Sequence, residues 1–262
     1  MSLRRGERLG NIDARVRRLV GKAIWEYRLL QEGDRVLVGV SGGKDSLTML
    51  KVLAERRKVI PIEYELIAVT VDLGFDGFSV DPIREFASSL GCPFVVKRTD
   101  IGPRSHKDPS ETPCFQCSRM RRKVLFETAT ELGCNKVALG HTKDDILVTF
   151  FMNVFFSGEI STMLPRQELF GGKITLIRPL ALVDEEKVEE FSKHHGLPVI
   201  KDPCPTKGKT KRAEVKEWLN AFFRGRKELK GNAFHALSNV NLKYLLASYK
   251  DDEGRYSGLG PS

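Results

Sequence analysis

The stretch "RVLVGVSGGKDSLTMLKVL", residues 35–53, decides the fold of this chain. Its first residues are mostly Val and Leu, which is typical of a buried strand, and the residues after Lys44 place apolar side chains at helical spacing. Between the two stands Ser-Gly-Gly-Lys-Asp-Ser, residues 41–46. The stretch therefore predicts a strand, a tight glycine-rich loop and a helix, in that order.

Further strand-like runs follow along the chain, separated by segments long enough for a helix. They lie at residues 65–72, 93–100, 136–140 and 174–180. Near-continuous apolar strands that alternate with helices are typical of a parallel sheet covered on both faces. We therefore predict an α/β fold with a doubly wound, mostly parallel sheet of five strands, preceded by a basic helix and followed by a small helical region.

Length, charge and cysteine content limit the class of protein. Lys and Arg outnumber Asp and Glu by 43 to 34 in 262 residues, a balance that suits a polyanionic partner such as nucleic acid. The longest apolar runs are shorter than the roughly 20 residues of a membrane span, and the Arg-rich start lacks the apolar core of a signal peptide. Unpaired thiols fit a reducing compartment. We therefore expect a cytoplasmic protein that does not enter a membrane, with Cys92 and Cys134 as packed core thiols.

The loop at residues 41–46 has the composition of an anion-binding loop. Backbone N–H groups converge where a glycine-rich turn leads into a helix, and the helix N-terminus adds about half a positive charge. The spacing differs from the common nucleotide-binding loop, because three residues rather than four separate Gly39 from Gly43, and Asp45 follows Lys44. A carboxylate beside a polyphosphate repels it unless a cation lies between them. We therefore expect phosphate in the loop and a magnesium ion on Asp45.

Three of the five cysteines are candidates for metal, cluster or redox chemistry. Cys114 and Cys117 form a C-x-x-C at the start of a predicted helix, and Cys204 stands late in the chain. A helix N-terminus lowers the pKa of thiols beside it, which favours thiolate ligands. A zinc site would need a fourth ligand such as His106, whereas a cubane iron–sulfur cluster would keep one iron open. In a third interpretation, Cys117 and Cys204 carry a persulfide and resolve it as a disulfide.

Five motifs in order carry a resemblance to a known family. "SGGKDS" (41–46) is the signature of the N-type ATP pyrophosphatases, which adenylate a substrate oxygen and release pyrophosphate. Together with "PCFQCSRMRR" (113–122), "GHTKDDILVTFFMN" (140–153), "IRPLALVDEEKVEEFS" (177–192) and "DPC" (202–204), it resembles the tRNA-cytidine sulfurtransferase family, makers of 2-thiocytidine, and more distantly the tRNA 2-thiouridine synthases. The similarity covers most of the chain.

The resemblance implies an adenine nucleotide alpha hydrolase-like fold, with ATP and Mg²⁺ as ligands and tRNA as substrate. In that family three cysteines hold a [4Fe-4S] cluster, which assigns the ligands here to Cys114, Cys117 and Cys204. The family also implies a sulfur donor such as a cysteine desulfurase, and it allows a homodimer. Two positions depart from the family pattern, since Cys-Pro-Thr-Lys at 204–207 replaces a second C-x-x-C and Thr142 replaces a histidine.

Motif by motif, the resemblance assigns a role to each candidate residue. Lys44 is expected to point either outward or to the phosphates of ATP, and backbone groups near Val71 and Asp72 are expected at adenine. The cradle for the pyrophosphate end of ATP is Ser41, Gly42, Gly43, Asp45 and Ser46.

A second set of candidates follows the fourth strand and the C-x-x-C. Asp144 and Asp145 are candidates for binding magnesium or orienting the adenylated base, and Gly140 and His141 precede them in the same loop. The basic pair one turn beyond the C-x-x-C, expected to stabilise phosphate charge, is Arg121 and Arg122.

Basic residues at two places are candidates for contacts with the tRNA backbone. One set lies in the N-terminal arm and helix, and the other follows Cys204: Arg4, Arg5, Arg8, Arg18 and Lys22; Lys207, Lys209, Lys211 and Arg212. We divide the chain into a basic arm and helix (1–30), an ATP-binding domain with the C-x-x-C insertion (31–182) and a helical region with the third cysteine (183–262). The predicted function is thiolation of a tRNA cytidine, with two alternatives: thiolation of a tRNA uridine, and a non-catalytic sensor that binds ATP, a cluster and nucleic acid.

Overall fold

The computed structural model describes residues 5–107, 112–206, 208 and 210–245, with side chains from residue 12 onward. The helices in these ranges are α1 Arg5–Glu26, α2 Lys44–Arg56, α3 Asp81–Ser89, α4 Ile101–Lys107, α5 Pro113–Glu131, α6 Lys143–Met152, α7 Glu185–His194, α8 Lys211–Phe223 and α9 Lys227–Ala236. The strands are β1 Asp34–Gly39, β2 Tyr64–Asp72, β3 Phe94–Arg98, β4 Lys136–Ala138, β5 Arg166–Leu169 and β6 Ile174–Ile177. None of the helices in the described ranges combines the length and apolar character that crossing a membrane needs.

The strands form one sheet in the order β3-β2-β1-β4-β6-β5. The five predicted strands are β1, β2, β3, β4 and β6, and they are all parallel, so the predicted doubly wound fold is confirmed. A sixth strand, β5, pairs antiparallel with β6 at the edge of the sheet. Its residues, Arg-Gln-Glu-Leu, are too polar for the apolar pattern of a buried strand, which is why the sequence did not predict it.

Apolar side chains cover both faces of the sheet. One cluster joins α1, α2 and α7 to the sheet through residues such as Val20, Leu50 and Phe191, which are fully buried. The other packs α5 on the opposite face, where Leu125 meets the cluster that contains Leu37. The buried side chains of α1, such as Val20, form its packing face, since hydrophobic burial of one stripe is what fixes an amphipathic helix.

The chain divides into two compact units, Met1–Lys216 and Glu217–Ser262. The first unit contains the whole sheet and helices α1 to α7. The second contains the end of α8, α9 and a short 3₁₀ turn, Leu242–Tyr244. Our division at residues 30 and 182 stays a prediction, and all residues of the site described below belong to the first unit.

Candidate active site

The glycine-rich loop lies at the point where the strand order reverses. The chain places β2 and β3 on one side of β1, and β4 and β6 on the other, so the loops after β1 and β4 open at a crevice where ligands bind in such sheets. The two loops touch closely. A Cβ atom on Gly140 would lie 3.0 Å from the backbone nitrogen of Ser46 and 3.1 Å from the carbonyl carbon of Asp45. Only glycine therefore allows this approach.

Hydrogen bonds within the loop hold it as a closed cradle. The Ser41 N–H donates to Oγ of Ser46 (3.1 Å), which in turn donates to the Gly43 carbonyl (2.9 Å). Gly42 has φ +79°, a conformation that side chains disfavour, and its carbonyl accepts the N–H of Ile200 at 2.9 Å. None of these hydrogen bonds uses the N–H groups of the first turn of α2. Those N–H groups therefore remain available to a ligand, as they are at any helix start.

Charged side chains flank the cradle. Nζ of Lys44 lies 2.7 Å from Oε1 of Glu185 and 3.2 Å from Oδ1 of Asp45. Lys216 reaches the other oxygen of Glu185 at 2.7 Å. Burial raises the pKa of Asp45, Lys44 opposes this effect, and Glu185 and Asp145 add to it through their negative charge. The cradle thus contains the ammonium group of Lys44 and the carboxylate of Asp45, and the positive charge near Asp45 does not fully offset its burial and the neighbouring negative charges.

Asp144 and Asp145, which follow the second loop, both make contacts that order the protein. Asp145 forms a capping box with Thr142 at the start of α6, and its Oδ1 lies 2.6 Å from Nη2 of Arg212. Burial works to raise the pKa of Asp145, but Arg212 and the Thr142 backbone outweigh it, so the pKa is lowered. Asp144 accepts the backbone N–H of Glu185 at 2.8 Å. These carboxylates therefore join α6, α7 and α8 around the crevice.

His141 is held neutral beside a buried arginine. Arg178 donates from Nε to Nδ1 of His141 at 3.2 Å, and its guanidinium also donates to the Leu164 carbonyl. Burial, with the positive charges of Arg178 and Arg212 nearby, lowers the pKa of His141 to about 4. Because Nδ1 accepts a hydrogen bond, the ring proton is on Nε2.

The three candidate cysteines are brought together although they are far apart in the chain. The Sγ atoms of Cys114 and Cys204 lie 3.5 and 3.3 Å from one oxygen, Oγ1 of Thr206. Cys117 is close enough to both for their charges to affect its pKa. The other candidate zinc ligand, His106, also contacts Thr206, at 3.3 Å from Nε2. Within the described residues no three His, Cys, Asp or Glu side chains converge as the ligands of one metal ion.

Burial raises the pKa of the Cys117 thiol, and the nearby Arg121 opposes this effect. The pKa of Cys117 is thus raised, whereas a position at a helix start is expected to lower it. Desolvation at this partly buried position is the largest effect. Arg121 also affects His141, whose pKa it helps to lower. The positive charge of Arg121 therefore acts on both Cys117 and His141.

Comparisons with known proteins show the family to which the chain belongs. A model of the PP-loop domain family matches residues 11–221. The tRNA-cytidine(32) 2-sulfurtransferase of Syntrophotalea carbinolica is 40% identical, covering 90% of this chain and 93% of the relative. The protein of the same name from Pelobacter propionicus is 39% identical, covering 88% of each chain. This chain belongs to the PP-loop family of tRNA-cytidine(32) 2-sulfurtransferases.

A solved structure that contains a cofactor supports the same conclusion for the fold. The U34-tRNA thiolase NcsA from Methanococcus maripaludis, with its [4Fe-4S] cluster, superposes with a TM-score of 0.73 and 25% sequence identity. The match covers 90% of this chain and 80% of that chain. The resemblance to tRNA thiolases that the motifs indicated is therefore confirmed.

Several residues that contact the predicted site residues were not themselves predicted. Arg178 and Glu185 lie within the 177–192 motif but were given no role, and no local pattern marks Lys216 or Thr206. Arg212 was predicted as a contact to tRNA, but the structure pairs it with Asp145. A carboxylate pair followed by a late basic segment is the signal that could have suggested this ion pair.

Other predicted positions differ in how much the structure says about them. Asp72 ends β2, where its carbonyl accepts the Thr99 N–H at 2.9 Å and its Oδ1 accepts the Gly74 N–H at 3.0 Å. Val71 precedes it, and the role of both at adenine stays a prediction. Arg4, Lys207 and Lys209 lie outside the described residues, as do the side chains of Arg5 and Arg8.

Proposed function

We propose that this chain uses ATP to replace the C2 oxygen of a tRNA cytidine with sulfur, giving 2-thiocytidine. The names of its 40% and 39% identical relatives support cytidine as the base and tRNA as the substrate. The thiolase with TM-score 0.73 supports tRNA thiolation as the reaction class. In the proposed reaction ATP adenylates the C2 oxygen, pyrophosphate leaves, and sulfur then displaces AMP from C2.

The observation that carries the proposal is that one fold unit contains both the glycine-rich loop and the three cysteines, which come near one another although they are far apart in the chain. Adenylation needs a polyphosphate site, and sulfur transfer needs sulfur chemistry within reach of the same carbon. The positive charge of Arg121 acts on both the Cys117 thiol and the His141 ring, which links the cysteines to the loop after β4. A protein that only bound ATP would not need the cysteines at this place.

ATP is proposed to place its pyrophosphate end in the cradle at residues 41–46. The N–H groups of the first turn of α2 donate to the phosphate oxygens, and Lys44 supplies a positive charge that Glu185 keeps in position. Mg²⁺ is bound in proteins by one or two carboxylates together with substrate phosphates. Asp45 fits this role, because burial and neighbouring carboxylates leave it in need of a cation.

The cysteines fit an iron–sulfur cluster by the chemistry of their donor atoms. The thiols of Cys114 and Cys204 contact Thr206, Cys117 is near enough to both for their charges to affect its pKa, and the thiolase to which the chain is similar carries a [4Fe-4S] cluster. When bound through three thiolates, such a cluster keeps one iron open to a sulfur ligand. The sulfur itself is proposed to come from a separate donor such as a cysteine desulfurase, whose persulfide sulfur is released as sulfide by a two-electron reductant such as a dithiol.

Basic groups between the two halves are proposed to stabilise the charge that develops during adenylation. Arg178 is buried beside His141, where electrostatic interactions are stronger than in water, and Arg121 is exposed near Cys117. His141 is neutral at pH 7 and carries its proton on Nε2, so it acts as a hydrogen-bond donor and not as a charged acid. These groups orient the oxygens of the α-phosphate and the base.

The proposal is tested by nucleoside mass spectrometry on tRNA from a host that lacks its own thiocytidine enzyme. Cells expressing this chain should contain 2-thiocytidine, and cells expressing Cys204→Ser should not. Cys134→Ser, a change at a buried thiol away from the site, is the matched control and should keep the product. Appearance of 2-thiouridine in place of 2-thiocytidine would overturn the choice of base, and absence of any thiolated nucleoside would overturn the reaction.

A cytoplasmic location and a homodimer complete the proposal. Both come from the class of enzyme, since tRNA modification takes place where tRNA is processed and related enzymes commonly pair. Sedimentation velocity of the purified protein tests the dimer, and its result does not affect the proposed chemistry.

A further inference from the structure

A strip of exposed apolar side chains follows α6. We call residues 153–164 the aromatic strip. It begins with a π-helical turn, Asn153–Ser157, that ends at Gly158 in the left-handed conformation (φ 62°). Its exposed large side chains, with their exposed fractions, are Val154 (36%), Phe155 (53%), Phe156 (51%), Ile160 (67%) and Leu164 (57%). Contiguous apolar surface of this kind marks an interaction site in a folded protein.

The aromatic strip is held in one conformation by side-chain hydrogen bonds. Nδ2 of Asn153 donates to the carbonyl of Ser161 at 3.0 Å and contacts its Oγ at 2.9 Å. Oγ1 of Thr162 donates to the carbonyl of Ile146 at 2.6 Å, so the strip folds back along α6. π-Helical turns are unfavourable and occur often at functional sites. The exposure is therefore a built feature of the fold and not the fraying of a loop.

One end of the aromatic strip is fastened to the active site. Arg178 donates to the carbonyl of Leu164 and, through Nε, to His141 in the crevice. The other end lies at the far end of the helix that begins beside Asp144 and Asp145. With a rise of 1.5 Å per residue, the aromatic rings are about 15 Å from these carboxylates, a distance of a few nucleotides.

Positive charge accompanies the aromatic rings. Nζ of Lys211 lies 5.0 Å from the centre of the Phe156 ring, a cation–π distance. Arg212, the next residue, reaches Oγ1 of Thr149 on α6 at 3.0 Å. The strip contains one acidic residue, Glu159. Aromatic rings next to Lys or Arg are the pattern with which proteins bind unpaired nucleotides, because the rings stack on bases and the cations contact phosphates.

We infer that the aromatic strip binds the unpaired nucleotides that flank the target base in the tRNA loop. Phe155 and Phe156 stack on bases, and Lys211 contacts the phosphate beside them. The inference rests on the proposed function, because it takes tRNA as the substrate. A second copy of this chain or a sulfur-donor protein would also cover apolar surface, but neither accounts for the lysine placed over an exposed ring.

The test measures the affinity of unmodified tRNA by fluorescence anisotropy, without turnover. Replacing both rings, Phe155→Ala with Phe156→Ala, should weaken binding by about 10- to 100-fold, as expected for the loss of base stacking. Tyr at both positions keeps the rings and should restore binding. Phe170→Ala is the matched control. Phe170 is 61% exposed in the turn between β5 and β6, at the end of β5 away from Leu164, and its loss should leave the affinity unchanged.

Further measurements separate this inference from the proposed function and from misfolding. ATP binding and the thermal unfolding temperature should match those of the unsubstituted protein, which shows that the variant folds. If the double alanine variant binds tRNA normally, or if it instead dissociates a dimer in sedimentation experiments, the inference is wrong and a protein partner covers the strip. If the unsubstituted protein itself does not bind tRNA, the proposed function fails first.

Discussion

The ammonium group of Lys44 lies 2.7 Å from Oε1 of Glu185, a residue 141 positions later in the chain. Lys216 contacts the same carboxylate, and Asp144 accepts the backbone N–H of Glu185 at 2.8 Å. One glutamate at the start of α7 therefore positions the lysine of the phosphate loop. The pair links the helix after the last strand to the loop after the first.

Replacing Lys44 with Met should lower tRNA-dependent pyrophosphate release by about 100-fold or more, because one charged donor to the phosphates is lost. Glu185→Gln should cost less, since the amide still accepts a hydrogen bond but no longer matches the charge of Lys44. Lys51→Met is the matched control, because Lys51 is on the same helix and pairs with Glu55 at 2.8 Å. An equal loss of pyrophosphate release in Lys51→Met would show that the effect is general to α2.

Gly42→Ala should abolish ATP binding, whereas Gly91→Ala should only lower the free energy of unfolding. Both glycines have positive φ, +79° and +64°, so alanine costs about 1 kcal/mol at either. A Cβ on Gly42 would also lie 3.2 Å from Ile200 and Ile83, while a Cβ on Gly91 meets nothing within 4 Å. Equilibrium binding of ATP and urea unfolding of both variants test this. Normal ATP affinity in Gly42→Ala would contradict the role of the loop.

Serine at Cys114, Cys117 or Cys204 should remove most of the iron that the protein retains after anaerobic purification. Each of these thiols supplies a ligand that serine replaces poorly. Cys134→Ser is the control, because its thiol is buried in the second hydrophobic cluster and should not affect iron content. Iron and acid-labile sulfide analysis gives the result. Full tRNA thiolation by iron-free protein would favour persulfide chemistry at Cys117 and Cys204.

Acidification should destabilise the protein partly through His141. Burial lowers the folded pKa of this histidine from 6.5 to about 4, so the unfolded chain binds a proton between these values and the folded protein does not. The free energy of unfolding therefore falls as the pH drops from 6.5 toward 4, by up to about 3 kcal/mol from this group. Urea unfolding at several pH values should show a weaker pH dependence in His141→Gln. An unchanged slope would mean that His141 titrates alike in both states.

The sequence by itself predicted the parallel strands and the glycine-rich loop between β1 and α2, and it singled out Cys114, Cys117 and Cys204. These features depend on local patterns, because strand periodicity, glycine conformation and helix starts involve residues close together in the chain. The edge strand β5 was not predicted from the sequence, because edge strands need no apolar pattern. Its pairing with β6 is a tertiary contact.

Only the tertiary structure decided which distant groups meet in the crevice. Glu185 reaches Lys44, and Arg212 reaches Asp145, because the order of the strands brings α7 and the start of α8 to the loops after β1 and β4. The same packing partly buries Cys117. This burial raises the pKa of its thiol, whereas the helix start predicted a lowered pKa. Ion pairs and desolvation depend on distances in space, which a residue's neighbours in sequence do not fix.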